Sequence, residues 1–176
     1  VSGSHICLPT LAVVGLLVAG CGGGGEEDQT RSGYIAKADA ICAEANAEAA
    51  AREQTFNQAL KSSDLETAAE AFEEQAKQVA ATLDELEGLT PPEADATTVE
   101  EIIALGRERV KVAEQAADAI ASGDKDAMIA AGKKGATLAG EYDQLASGFG
   151  FDACAGLGSS DSGSGSGNTG TTGATS

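Results

Sequence analysis

The sequence predicts an all-α protein, an antiparallel up-down four-helix bundle over residues 32–155 with a non-globular segment on either side. Three observations carry that reading. The chain is rich in alanine, only 3% aromatic and free of tryptophan, a composition that suits closely packed helices and poorly fills a sandwich or barrel. Between residues 32 and 155 apolar side chains recur at alternating steps of three and four, the period of a helix face. Breaks of Ser, Gly, Asp and Pro cut that stretch into four runs joined by short turns, which favours antiparallel neighbours within one chain over a dimeric coiled coil.

The first helix is expected from Ser32 to Lys61, with the stripe Ile35, Ala38, Cys42, Ala45, Ala49, Arg52, Phe56 and Leu60. Ser62-Ser63-Asp64 interrupts it, and Ser63 with Glu66 has the spacing of a capping box for the next helix. The second stripe is Leu65, Ala69, Phe72, Ala76, Val79, Leu83 and Leu86, stopped by Gly88 and the Pro91-Pro92 pair. The third helix starts near Asp95 or Thr97 and carries Val99, Ile102, Gly106, Val110, Ala113, Ala117 and Ile120. Gly123 ends it and Asp124 caps the fourth. The fourth carries Met128, Ala131, Gly135, Leu138, Tyr142 and Leu145, then Phe149 just beyond Gly148. "SSDLETAAEAF" at 62–72 echoes "SGDKDAMIAAG" at 122–132, as either a duplicated hairpin or a shared capping grammar would produce.

Outside the bundle the composition changes. Residues 156–176, "GLGSSDSGSGSGNTGTTGATS", offer almost no apolar surface to bury and are expected to be disordered. At the other end, Ile6 to Ala19 form an uncharged apolar run of 14 residues. That is short of the roughly 20 a membrane span needs. It matches the roughly 7–15 residues of a signal-peptide core. The basic segment that normally precedes such a core is missing and the chain opens on Val1, so the sequence is expected to begin downstream of the true start or at a misread one. Val18-Ala19-Gly20-Cys21, directly after the run, resembles a bacterial lipobox. The resemblance implies that residues 1–20 are a signal peptide, that Cys21 carries a diacylglyceryl group, and that Cys21 becomes the first mature residue. Two acyl chains give stable anchoring, since each buried methylene adds about 0.8 kcal/mol. Gly22 to Gly25 would then belong to a flexible tether over residues 21–31, kept hydrated by Glu26, Glu27 and Asp28.

Charge and residue types narrow the chemistry. A formal charge of −17 argues against nucleic acid and against adhesion to anionic lipid through a basic patch. The cysteines Cys7, Cys21, Cys42 and Cys154 contain no C-x-x-C pair, which argues against zinc. His5 is the only histidine and lies in the signal segment, which removes the Ser-His and Cys-His nucleophile arrangements and the histidine ligands of di-iron bundles. Gly132-Lys133-Lys134 lies within helical periodicity and lacks a phosphate-binding loop, and Asp124-Lys125-Asp126 lacks the glycine and distal Glu of a calcium loop. No catalytic residue, metal site or cofactor is therefore expected. A carboxylate-only enzyme would need a buried acid.

Some features remain for binding. Asp84, Glu85, Glu87 and Glu93, with Asp95, Glu100 and Glu101, crowd the second turn and suit a cation, a basic partner or plain solvation. Arg52 interrupts the first stripe, so it either snorkels at the bundle edge or meets an anionic ligand. Gly106 and Gly135 on the stripes, with Gly132 and Gly140 nearby, either bring helices close or leave a small pocket between the third and fourth. Tyr34 and Tyr142 fall at helix seams, where core packing competes with a binding role.

"YIAKADAICAEANA" at 34–47, the Pro-Pro turn and "GFGFDACAG" at 148–156 together resemble small alanine-rich actinobacterial lipoproteins. In those proteins a Tyr-Gly-Phe segment near a final Cys-Gly follows the last helix; here it is Gly-Phe-Gly-Phe, with Ala155 between Cys154 and Gly156. The family has no assigned activity, so the resemblance implies location and architecture and transfers no site residues. With Cys7 removed and Cys21 acylated, Cys42 and Cys154 remain in an exported, oxidising setting. An up-down order brings the start of helix one to the end of helix four, and Phe149 to Cys154 would fold back over that seam. A structural Cys42–Cys154 disulfide is expected. The chain then reads as a non-catalytic helical interaction or scaffold module, lipid-anchored at the outer face of the cytoplasmic membrane and meeting an envelope protein partner. The alternative is a sensory-type bundle that binds a small ligand or cation.

Overall fold

The computed structural model describes residues 30–158. They form four helices, α1 (Arg31–Ser62), α2 (Leu65–Glu87), α3 (Ala96–Ser122) and α4 (Lys125–Phe149), with one 3-10 turn at Glu93–Asp95 before α3. No strand occurs among the described residues, and no helix among them is long and apolar enough to cross a membrane. Cys21 and the proposed signal segment lie outside the described residues.

Each helix begins and ends for a local reason. Thr30 caps α1, its hydroxyl accepting the Gly33 N–H at 3.1 Å, so the helix starts at Arg31 and the expected tether boundary at 31/32 moves back. At the other end Ser63 takes a left-handed conformation with φ 58°, and the Asp64 N–H reaches the Ala59 carbonyl at 2.9 Å. Ser63 therefore closes α1 and does not cap α2 as its spacing with Glu66 suggested. Asp64 is the cap, accepting from the Thr67 N–H at 3.1 Å and its hydroxyl at 2.8 Å. The turn after α3 repeats this arrangement. Gly123 is left-handed at φ 68°, the Asp124 N–H reaches the Ala119 carbonyl at 3.0 Å, and Asp124 accepts from Asp126 and Ala127. The sequence echo between the two turns is thus a shared hydrogen-bond pattern.

Successive helices pack, α1 on α2, α2 on α3 and α3 on α4, whereas α1 and α4 have no extended backbone contact. One core cluster gathers Tyr34, Ala38 and Cys42 of α1 with Leu83 and Leu86 of α2, Val99 and Ile102 of α3, and Tyr142 and Phe149 of α4. A smaller one joins Ala59, Ala68, Ala69 and Ile120, with Phe56, Phe72 and Met128 at its edge. The expected stripes overreach here, since Leu60 and Leu65 are 41% and 39% exposed. Both flank the α1–α2 turn, where the covering layer ends.

The end of α4 and the segment after it tie that helix to α1. Phe149 and Phe151 fold onto Tyr34, with ring centroids 6.3 and 6.2 Å away. Both oxygens of the Asp39 carboxylate are used, accepting the backbone N–H groups of Asp152, Ala153 and Cys154 at 3.0 Å each. Asn46 donates to the Ala153 carbonyl at 2.8 Å and accepts from the Gly158 N–H at 3.4 Å. Cys42 and Cys154 form the expected disulfide, with Cα atoms 5.0 Å apart. The ordered unit runs past the expected boundary at 155/156, because Leu157 is only 1% exposed and belongs to the main core. Residues 159–176 of the expected tail lie outside the described residues.

Candidate functional site

Two adjoining cavities open on the middle of the bundle. One, of about 160 Å³, lies between α1 and α2 and is lined by Ala49, Arg52, Phe56, Phe72 and Gln75, among others. The other, of about 340 Å³, runs between α2, α3 and α4. Phe72, Gln75 and Gly158 line both and mark where they meet. The larger volume is within the range of about 300–1,000 Å³ usual for small-molecule sites.

The walls of the larger cavity follow from alanine and glycine on facing helices. Ala76 and Val79 come from α2, Val110, Ala113 and Ala116 from α3, and Ala131, Gly135 and Ala136 from α4. The helix glycines divide between the two roles open to them. Gly106 serves close packing, since a Cβ there would stand 2.8 Å from the Leu83 side chain and 3.4 Å from Tyr142. Gly132 and Gly135 line the cavity; a Cβ at Gly132 would meet nothing within 4 Å, and one at Gly135 only Val112 at 3.7 Å. Gly158 at the mouth has φ 71°, and a Cβ there would press on Val79 at 2.9 Å, so a glycine is required where the chain turns across α2.

Polar groups gather at the junction. Arg52 is only 22% exposed; its Nε donates to Gln75 at 3.3 Å, and its terminal nitrogen stands 3.7 Å from Glu48. Gln75 and the Arg109 guanidinium both lie about 4 Å from the Cβ position of Gly158. Arg109 lies over the Tyr142 ring, 4.6 Å from its centroid. Among the described residues no carboxylate lies within ion-pairing distance of it and no acceptor hydrogen-bonds to it. Burial pulls its pKa below the ordinary arginine value, with the nearby Tyr142 and Asp143 opposing that shift. Burial also pushes Tyr142 up to about 12 and raises Asp143, both against the charge of Arg109. The Tyr142 hydroxyl and the Asp143 Oδ1 are buried without hydrogen-bond partners.

The acidic turn lies elsewhere. Asp84 and Glu87 both engage Arg107, Glu87 at 3.0 Å, and these two acids raise its pKa. Glu85 and Glu93 are exposed. Among the described residues no three acids, cysteines or histidines converge as a metal site would require. Of the charged residues singled out in the sequence for a ligand or partner surface, only Arg52 reaches the cavities, alongside Gly132 and Gly135 of the helix-core glycines. Arg109, Gln75 and Asp143 were missed, because each occupies an ordinary polar position of its own helix. The sequence matches no family model, and comparison with curated proteins and with solved structures finds no match.

Proposed function

We propose that this chain is an exported, lipid-anchored lipoprotein whose helical domain is a non-catalytic binding module for a small ligand. One observation carries the binding part of that reading: a preformed cavity of about 340 Å³ with mainly apolar walls, lined by a guanidinium that forms no ion pair among the described residues. It favours the small-ligand alternative over a featureless scaffold. The lack of any histidine after His5 supports a role without nucleophilic chemistry.

In this reading the helices run up and down in turn. The main cluster supports that order, joining the starts of α1 and α3 to the ends of α2 and α4, and the smaller cluster joins the opposite ends. Export is supported by the lipobox resemblance at Cys21 and by a disulfide of the kind that persists outside the cytoplasm. A thermal-shift screen of the full chain against envelope small molecules tests the binding part. A reproducible, saturable rise in Tm is expected, because a ligand of the native state stabilises it by mass action; a flat response across the screen refutes it. For the anchor, Cys21→Ala is expected to release the chain from the membrane fraction or leave the precursor unprocessed. Mass spectrometry finding an unmodified mature N-terminus at another residue overturns it.

A second reading, docking to an envelope protein, draws on a different face. Leu60, Leu65 and Ile129 are exposed large apolar side chains, Ile129 at 56%, and all lie beside the turns that join α1 to α2 and α3 to α4. Pull-down from membranes with the intact chain and with a Leu60→Ser/Ile129→Ser variant separates this reading from the first.

A further inference from the structure

We propose that the groove between α2, α3 and α4 binds a single-chain aliphatic carboxylate, with the alkyl chain along the alanine and glycine walls and the carboxylate on Arg109. The inference rests on the ligand-binding reading above and names the class of ligand. Gln75 and Arg109 are the polar side chains among those that line this groove, so the body of an occupant meets mainly apolar walls. Along α3 the lining runs from Arg109 to Ala116, a rise of about 10 Å, which accommodates an extended chain of about eight to ten carbons. Arg109 stands at one extreme of that run, so the charged end of a ligand and its apolar tail are assigned opposite ends.

Charge fixes the headgroup. Among the described residues Arg109 is the guanidinium in the groove without an acceptor, and its stacking on Tyr142 holds the planar fork in place. A carboxylate matches that fork with two parallel hydrogen bonds. Arg52, across the junction, lines the neighbouring cavity and stands 3.7 Å from Glu48, so Arg109 is the guanidinium that faces this groove and one carboxylate matches it. Asp143 lies close enough for its charge to be felt by Arg109 yet forms no ion pair with it, which leaves the guanidinium face open. Residues 159–176 are a poor occupant. Beyond Gly158 the chain continues as Ser, Gly and Thr with one Asp and one Asn, and has no alkyl side chain to fill the apolar walls except Ala174.

Titration of the full chain, disulfide intact, with decanoate, decanol and decylamine tests the assignment. Decanoate is expected to bind saturably at one site and more tightly than decanol, with decylamine weakest. Arg109→Gln is expected to weaken decanoate about tenfold or more, the scale of a lost charge-assisted hydrogen bond, and to leave decanol unchanged. Gly135→Leu, which favours helix and so keeps the fold, is expected to block decanoate and decanol alike. Decanol binding as tightly as decanoate, or indifference of decanoate to Arg109→Gln, overturns the carboxylate assignment while the ligand-binding reading survives. Failure of all three probes overturns the assignment as well, and the wider small-molecule screen then decides the parent reading separately. Binding that appears only after residues 159–176 are deleted overturns it by identifying the chain's own C-terminal segment as the occupant.

Discussion

Tyr142 is fully buried, its ring packed between Gly106 and Arg109, while its hydroxyl meets no hydrogen-bond partner. An unsatisfied buried hydroxyl costs about 1–3 kcal/mol, so Tyr142→Phe, which keeps the ring and the stacked guanidinium, is expected to be neutral or stabilising by about 1 kcal/mol. The same burial makes stability fall in alkali. Because the folded-state value is raised to about 12 from 10.0, the unfolded chain gives up this proton first. The contribution of the group is intact below pH 10 and is lost between about pH 10 and 12, with Tyr34 acting in the same direction. Urea unfolding at pH 7 and pH 11 checks both statements. A loss above about 1 kcal/mol for Tyr142→Phe at pH 7, or an unchanged alkaline slope, contradicts them. The site was legible only in part at this scale. Arg52 could be read because a charge breaks an apolar stripe. Arg109 could not, because it stands one position before Val110 among ordinary polar residues, and its burial is imposed by Tyr142 and Gly158, both remote in sequence.

Helix ends and helix contacts supply the next set of outcomes. The turns Ser62-Ser63-Asp64 and Ser122-Gly123-Asp124 share one geometry, but only the second places glycine at the left-handed position. Ser63→Gly is expected to stabilise the protein by about 1 kcal/mol, since it relieves the strain of a side chain there. Gly106→Ala has the opposite sign. Its methyl would collide with Leu83, itself held in the core, so a cost of about 1–3 kcal/mol outweighs the gain in helix propensity. Denaturant midpoints of the two variants against the parent chain decide both. The helical periods, the stop at Gly88 and the Gly123-Asp124 junction could be read from spacing because each depends on residues within a turn or two. The Ser63 cap was misread because two adjacent residues can each serve as a cap, and the left-handed turn decides between them. The far part of the first stripe failed for another reason: periodicity shows which face is apolar and not how far along the helix a neighbour covers it.

For the whole molecule the Cys42–Cys154 bond joins positions 112 residues apart. In the chain-entropy model such a closure contributes on the order of 4–5 kcal/mol. The Cys42→Ala/Cys154→Ala double variant is expected to lose stability on that scale, read from urea unfolding of oxidised and variant protein; a change below about 1 kcal/mol refutes a structural role for the bond. The loss should be felt widely, because Asp39, Asn46 and Tyr34 all hold the segment that the bond secures. The same bond also fixes how the molecule carries a load. If the chain is held at a point before α1 and pulled from a point beyond Gly158, tension enters α1, crosses the sulfur bridge about three turns along it and leaves through residues 154–158. The polypeptide between the two cysteines, including α2, α3 and α4, is bypassed by a covalent shunt. Reduction removes the shunt, so that unfolding under load then releases up to roughly 370–400 Å of extended chain from those 112 residues. Oxidised, the domain behaves as a short inextensible link; reduced, it becomes a long spring.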